Sequence, residues 1–140
     1  MEVYVSGLGA ICAAGTNVAE CLESMRSGRS MLAPVRRFQT ALGFPVGEVC
    51  LSDDELKGAL GVDSQEVASR TGLLGLKAVD EALTDFVSRR GNADGLKELR
   101  CAFLSGTSVG GMDLSEVFWQ EHRDDLTGGD ARSLSMHTPG

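Results

Sequence analysis

Four cysteines and two histidines are the side chains here best suited to covalent or acid–base chemistry. Cys12, Cys21, Cys50 and Cys101 are widely spaced and form no CxxC pair. A thiol becomes a nucleophile where a base, a cation or a helix N-terminus lowers its pKa. Cys101 lies inside the apolar run Cys101-Ala102-Phe103-Leu104 and reads as a small core residue. Cys12 falls in a turn between a strand and a helix, which is better placed, although packing remains the favoured reading. His122 sits in the charged stretch Gln120 to Asp125 and reads as solvated. His137 has no assignable partner. Asp124 and Asp125 are adjacent on a helix and so do not face each other as a carboxylate pair. A zinc site needs clustered ligands, and none cluster here, so no metal is expected.

Two glycine motifs suggest phosphate chemistry and fail on a required residue. Gly7-Leu8-Gly9 follows a strand, but the third glycine of GxGxxG falls on Cys12. Gly106 to Gly111 satisfies half of a P-loop, with Met112 and Asp113 where Lys and Ser or Thr are required. No nucleotide or other cofactor is expected, and no complete catalytic constellation is present.

The balance of charge narrows the partners. Lys and Arg total 13 against 20 Asp and Glu, a net charge of -7. Nucleic acid and anionic membrane both call for a basic surface, so neither is expected. No apolar run approaches a membrane span, and the N-terminus lacks the features of a signal peptide. A cytoplasmic protein without structural disulfides is expected.

The elements that must position these residues follow two repeats of one grammar: apolar strand, glycine-rich turn, helix. Residues 2 to 6 read as a buried strand. Asn17 is an N-cap with Glu20 at the capping-box position, and Val18, Cys21, Leu22 and Met25 form one apolar face. Gly28 is a left-handed stop. Residues 29 to 50 are a long connection with a strand near Phe44 to Val49. Ser52, with Glu55, caps a short helix that ends at Gly61. The longest helix runs from Ser64 or Ser69 to Arg90, and Gly72 and Gly75 within it suggest a tight backbone contact. A second strand, 101 to 105, leads through Gly106–Gly111 to a helix signalled by Asp113 and Glu116, with Leu114, Val117 and Phe118 as its apolar face. Residues 127 to 140 read as loop. Two or three strands make a sheet that is hard to cover, so the sequence reads as the front part of a larger α/β domain.

The pattern resembles the N-terminal part of β-ketoacyl-acyl-carrier-protein synthases, the condensing enzymes of thiolase-like fold. The residues that carry it are Val3-Tyr4-Val5-Ser6-Gly7-Leu8-Gly9, Gly15, Ser27-Gly28-Arg29-Ser30, Arg37-Phe38, the helix from Ser69-Arg70 to Leu83, and Leu104-Ser105-Gly106-Thr107-Ser108-Val109-Gly110-Gly111. Gly128-Gly129 and Ser135 to Pro139 resemble the approach to the substrate pocket. Their order and spacing cover nearly the whole chain.

The resemblance implies an incomplete N-terminal half of a layered α-β-α-β-α fold over residues 1–140, truncated before the catalytic nucleophile. The whole enzyme would be an acyltransferase, a 3-oxoacyl-carrier-protein synthase of fatty acid or polyketide assembly. It would perform decarboxylative Claisen condensation through a Cys and two His, or a His and an Asn. All of these are expected beyond Gly140, so no catalytic residue lies within this chain. Substrate-pocket roles carry over to Val109, at the floor of the acyl pocket, and to Met136 and His137. An acyl carrier protein is the implied partner and a homodimer the implied assembly. The basic stretch that docks the acidic carrier is replaced by Val62-Asp63-Ser64-Gln65-Glu66-Val67, which would repel it at low salt. A non-catalytic, chain-length-setting partner of an active synthase and an independent small binding domain are the alternatives.

Overall fold

A computed structural model describes residues 2–90 and 100–135. The described chain is mixed helical. It divides into two units, Met1–Ser52 with Lys77–Gly95 and Asp53–Leu76 with Leu96–Gly140.

In the first unit, α1 (Val18–Arg26) starts where Asn17 accepts the Glu20 N–H through its side chain. Glu20 does not complete the expected box at Asn17. Its carboxylate reaches one residue further back, to the Thr16 N–H at 2.7 Å and the Thr16 hydroxyl at 2.8 Å. Gly28 takes φ 63° and stops the helix as expected. The buried stripe differs from the expected one. Cys21 and Ser24 are buried, while Leu22 and Met25 face outward. The Ser24 hydroxyl is satisfied by donating to the Ala14 carbonyl at 2.6 Å, which is why a polar residue is tolerated there.

Residues 2 to 10 run extended beside α3 (Arg70–Arg90), whose Lys77–Arg90 portion belongs to this unit. A Cβ on Gly7 would stand 2.2 Å from the Ala82 carbonyl oxygen, and one on Gly9 would stand 1.8 Å from that of Ala78. The Leu8 N–H donates to the Asp85 carboxylate at 3.0 Å and the Ala10 N–H to Glu81 at 2.9 Å. Rising numbers in the segment meet falling numbers in the helix, so the two run antiparallel. Steps of two on the extended side match steps of four on the helical side.

These contacts replace the expected first strand. Val3, Tyr4 and Val5 are 82%, 75% and 76% exposed, not buried. Bridges among the described residues are confined to Cys12–Gly15 and Ala33–Val46, the latter being all that forms of the strand expected near Phe44 to Val49. The second expected strand, 101 to 105, is likewise unpaired, with Leu104 93% exposed and Cys101 exposed rather than in a core. The helices of the α/β expectation are present. Beyond these two bridges no sheet is formed among the described residues, which leaves the layered thiolase-like arrangement unshown. The reason is physical: a strand exists only through hydrogen bonds to a neighbouring strand, and neither run meets one.

In the second unit, α2 (Asp53–Leu60) ends at Gly61, which takes φ 67° as expected. Leu56 of α2 and Leu73 of α3 are fully buried. Ser69 caps α3 by accepting the Gly72 N–H at 3.1 Å. Asp113, expected to cap its own helix, instead accepts the N–H of Arg70 at 2.8 Å. The first turn of α3 holds no acidic residue, and this carboxylate supplies the missing negative charge. Its own helix, α4 (Met112–His122), starts at Gly111 without a side-chain cap. Phe118 is buried on α4, and Val117 is exposed. His122 is half-buried rather than solvated. It stacks on Phe118 with centroids 4.9 Å apart, its Nδ1 3.1 Å from the Phe118 carbonyl oxygen. Part of the expected loop is helical: a 3-10 turn at Leu126–Gly128 and α5 (Ala131–Ser135).

Asp85 gives the first unit an acid-sensitive tie. Its carboxyl is held below the usual aspartate range by the Arg89 side chain first and by the Leu8 N–H second. Folded chains therefore bind this proton less readily than unfolded ones. The stabilisation is full above the ordinary aspartate pKa, about 3.9, and is lost as pH falls through the lower folded value. We expect the urea midpoint to fall across that acidic window, and Asp85→Asn to remove this part of the pH dependence.

Candidate functional site

The glycine-rich turn before α4 lines a concave feature of the second unit. Thr107 closes it by accepting through its hydroxyl from the N–H groups of Val109 at 3.4 Å and Gly110 at 3.2 Å. Gly110 has φ 55°, a conformation that glycine adopts at no steric cost. This turn and the start of α3 enclose a cavity of about 250 Å³, with Gly72, Gly75 and Leu76 on one side and Phe103, Ser105 and Gly111 on the other.

The two helix glycines therefore do not serve the tight backbone contact expected of them. A Cβ on Gly75 would meet nothing within 4 Å, and one on Gly72 only the Ser69 hydroxyl. They open the cavity instead. Its lining is small, hydroxylic and apolar, with no acid, base or thiol. It can seat an apolar chain or an extended backbone, and by itself it performs no bond-making step.

Of the expected pocket residues, Val109 sits in the turn at 48% exposure, outside this lining. Met136 and His137 lie outside the described residues. A wider hollow of about 760 Å³ lies within the loop from Pro34 to Phe44, beside Arg36, Arg37 and Phe38. Glu48 holds that loop by accepting the backbone N–H groups of Arg36 at 2.8 Å and Arg37 at 3.2 Å.

Two of the thiols come together in the first unit. Cys12 Sγ stands 3.5 Å from Cys21 Sγ. The Ala14 N–H, donating to Cys12 Sγ at 3.4 Å, lowers the Cys12 pKa, with help from the Cys21 thiol. Burial raises the Cys21 pKa, followed by the Cys12 sulfur and then by the charges of Glu81 and Glu20. The turn between them is pinned by paired bonds, Cys12 N–H to Gly15 O at 2.9 Å and Gly15 N–H to Cys12 O at 3.2 Å.

Glu81 brackets this turn. One carboxylate oxygen accepts the Ala10 N–H and the other accepts the Val18 N–H, both at 2.9 Å. Sequence reasoning gave Glu81, Asp85 and the Cys12–Cys21 pairing no role. The available signal was on α3, where Ala78 and Ala82 lie four apart beside Glu81 and Asp85, also four apart, a track of small and acidic residues matched to Gly7-Leu8-Gly9.

Among the described residues there is no group of three or more His, Cys, Asp or Glu placed to hold a metal, and no helix is long and apolar enough to cross a membrane. Comparison with models of protein families, with curated proteins and with solved structures finds no match to this chain.

Proposed function

We propose that this chain supplies the N-terminal part of a β-ketoacyl-acyl-carrier-protein synthase. The whole enzyme joins an acyl thioester to malonyl-carrier by decarboxylative Claisen condensation, in fatty acid or polyketide synthesis. The observation that carries the reading is the seating of Gly7 and Gly9 on the α3 backbone. The resemblance assigns these residues to the opening strand and turn and to the long core helix, and the two glycines stand at the points of closest approach.

Two features support it further. Val3 to Val5 and Phe103 to Leu104 are apolar in sequence and exposed, as strand residues left without sheet neighbours would be. The cavity beside Gly75 and Phe103 is shaped for an apolar occupant and carries no catalytic group, as suits a scaffold and pocket wall. On this reading Val109, Met136 and His137 belong to the acyl pocket. The acyl-accepting Cys and two His come from residues beyond Gly140, so the 140 residues alone form no acyl-enzyme. A homodimer, an acyl-carrier partner and a cytoplasmic location belong to the same proposal.

The test is to sequence the reading frame past the codon for Gly140 and to express what it encodes. The expected result is a frame that continues into a Cys at a strand-to-helix turn and two later His residues. Its product should gain an acyl group on that Cys from an acyl-carrier thioester and release CO2 from malonyl-carrier. A stop codon at that point overturns the proposal. A continuing frame with that Cys replaced overturns the catalytic reading in favour of the non-catalytic partner.

A further inference from the structure

We propose that Cys12 and Cys21 form a thiol–disulfide exchange site, at which Cys12 attacks a low-molecular-weight disulfide such as oxidised glutathione and Cys21 resolves the adduct. The geometry carries the assignment. The sulfur atoms are 3.5 Å apart, and the two side chains differ in access: Cys12 is exposed and Cys21 is buried. A disulfide needs its sulfurs about 2.05 Å apart, so closure requires a shift of roughly 1.5 Å. Cys21 lies nine positions after Cys12, which is why no CxxC spacing announced them in the sequence.

The Cys12 thiolate attacks one sulfur of the glutathione disulfide. That S–S bond breaks, and the first glutathione leaves as a thiolate that takes up the proton Cys12 has lost. Cys21 then gives up its proton and attacks Cys12 Sγ. The mixed disulfide breaks, and the second glutathione leaves and is protonated. Two protein thiols and one small disulfide become one protein disulfide and two small thiols, with the protein oxidised by two electrons.

The surroundings favour this order of events. The Ala14 N–H supports negative charge on Cys12, whereas Cys21 is desolvated and its thiolate is disfavoured by the charges of Glu81 and Glu20. Cys12 is thus the sulfur that meets the reagent, and Cys21 the one that waits behind it. The product would tie the first turn of α1 to the turn preceding it, across the residues that Glu81 brackets.

The experiment treats the 140-residue chain with excess oxidised glutathione, quenches with acid at intervals, alkylates and maps peptides by mass. A transient glutathione adduct on Cys12 should precede a Cys12–Cys21 linkage lighter by two hydrogens. That linkage should form about tenfold faster than any adduct on Cys50 or Cys101, which are exposed but lack this arrangement. Cys21→Ser should stop at the Cys12 adduct, and Cys12→Ser should leave Cys21 alkylatable. Time-resolved mapping of the unaltered chain gives the same ordering without reliance on either variant folding. Linkage through Cys50 or Cys101, adducts on those residues as fast as on Cys12, or no Cys12–Cys21 linkage at all overturns the proposal.

Discussion

Gly9→Ala is expected to lower stability to urea unfolding by about 2 kcal/mol and to strip hydrogen-exchange protection from the Leu8 and Ala10 amides. The added methyl carbon would lie 1.8 Å from the Ala78 carbonyl oxygen and 2.8 Å from the Ala82 nitrogen. Both are helix backbone atoms inside α3, which do not rotate away as a side-chain end would. The segment must lift instead, and lifting breaks its bonds to Asp85 and Glu81. The loss has a ceiling, because the chain can release residues 2 to 10 rather than unfold. Gly75→Ala provides the contrast within the same helix. Its methyl group meets nothing within 4 Å, so removing a helical glycine should raise stability by up to about 1 kcal/mol. Equal losses from the two substitutions would contradict the seating described for Gly9.

Glu81→Ala is expected to cost about 2 kcal/mol, because hydrogen bonds to a charged group each contribute more than neutral ones and this carboxylate accepts two. One of the donors is the first residue of α1, so the substitution also removes an anion from that helix N-terminus. Glu81→Gln keeps a single acceptor oxygen and should retain roughly half of the effect. Removing the charge should also let the Cys21 pKa fall, since Glu81 helps to raise it. Thiol titration reads that change separately from stability. Gly9→Ala and Glu81→Ala release overlapping parts of the same chain, so the double variant should lose less than the sum of the single losses. Full additivity would show that the two contacts act independently.

What was legible in the sequence was local. Asn17, Gly28, Gly61 and the Ser69 start of α3 each act within one turn of their own helix, and each is where its residue type suggests. Asp113 was misread for the opposite reason. Its type announces a cap, but the helix it serves begins 43 residues earlier in the chain. Apolar runs 2 to 6 and 101 to 105 have strand composition, and composition does not supply the neighbour that makes a strand. Cys12 stood out by its position in a turn, while its partner Cys21 looked like one more residue of an apolar stripe. Met136 and His137 fall outside the described residues, and Val109 was placed through the resemblance rather than by any chemistry of its own.

The antiparallel pairing of Gly7 and Gly9 with Ala82 and Ala78 works as a vernier. Two extended residues advance about 6.8 Å, whereas four helical residues advance about 6.0 Å. Each further pair falls out of step by about 0.8 Å, so the match holds for a short stretch and then decays. The next pair toward the N-terminus would set Val5 against Phe86, a buried ring with the Arg90 guanidinium 5.0 Å above it. Accumulated mismatch and this obstruction together fit the high exposure of Val3, Tyr4 and Val5. The same two scales that seat the glycines thus limit how far the seat extends, and beyond that limit Val3, Tyr4 and Val5 are left to solvent.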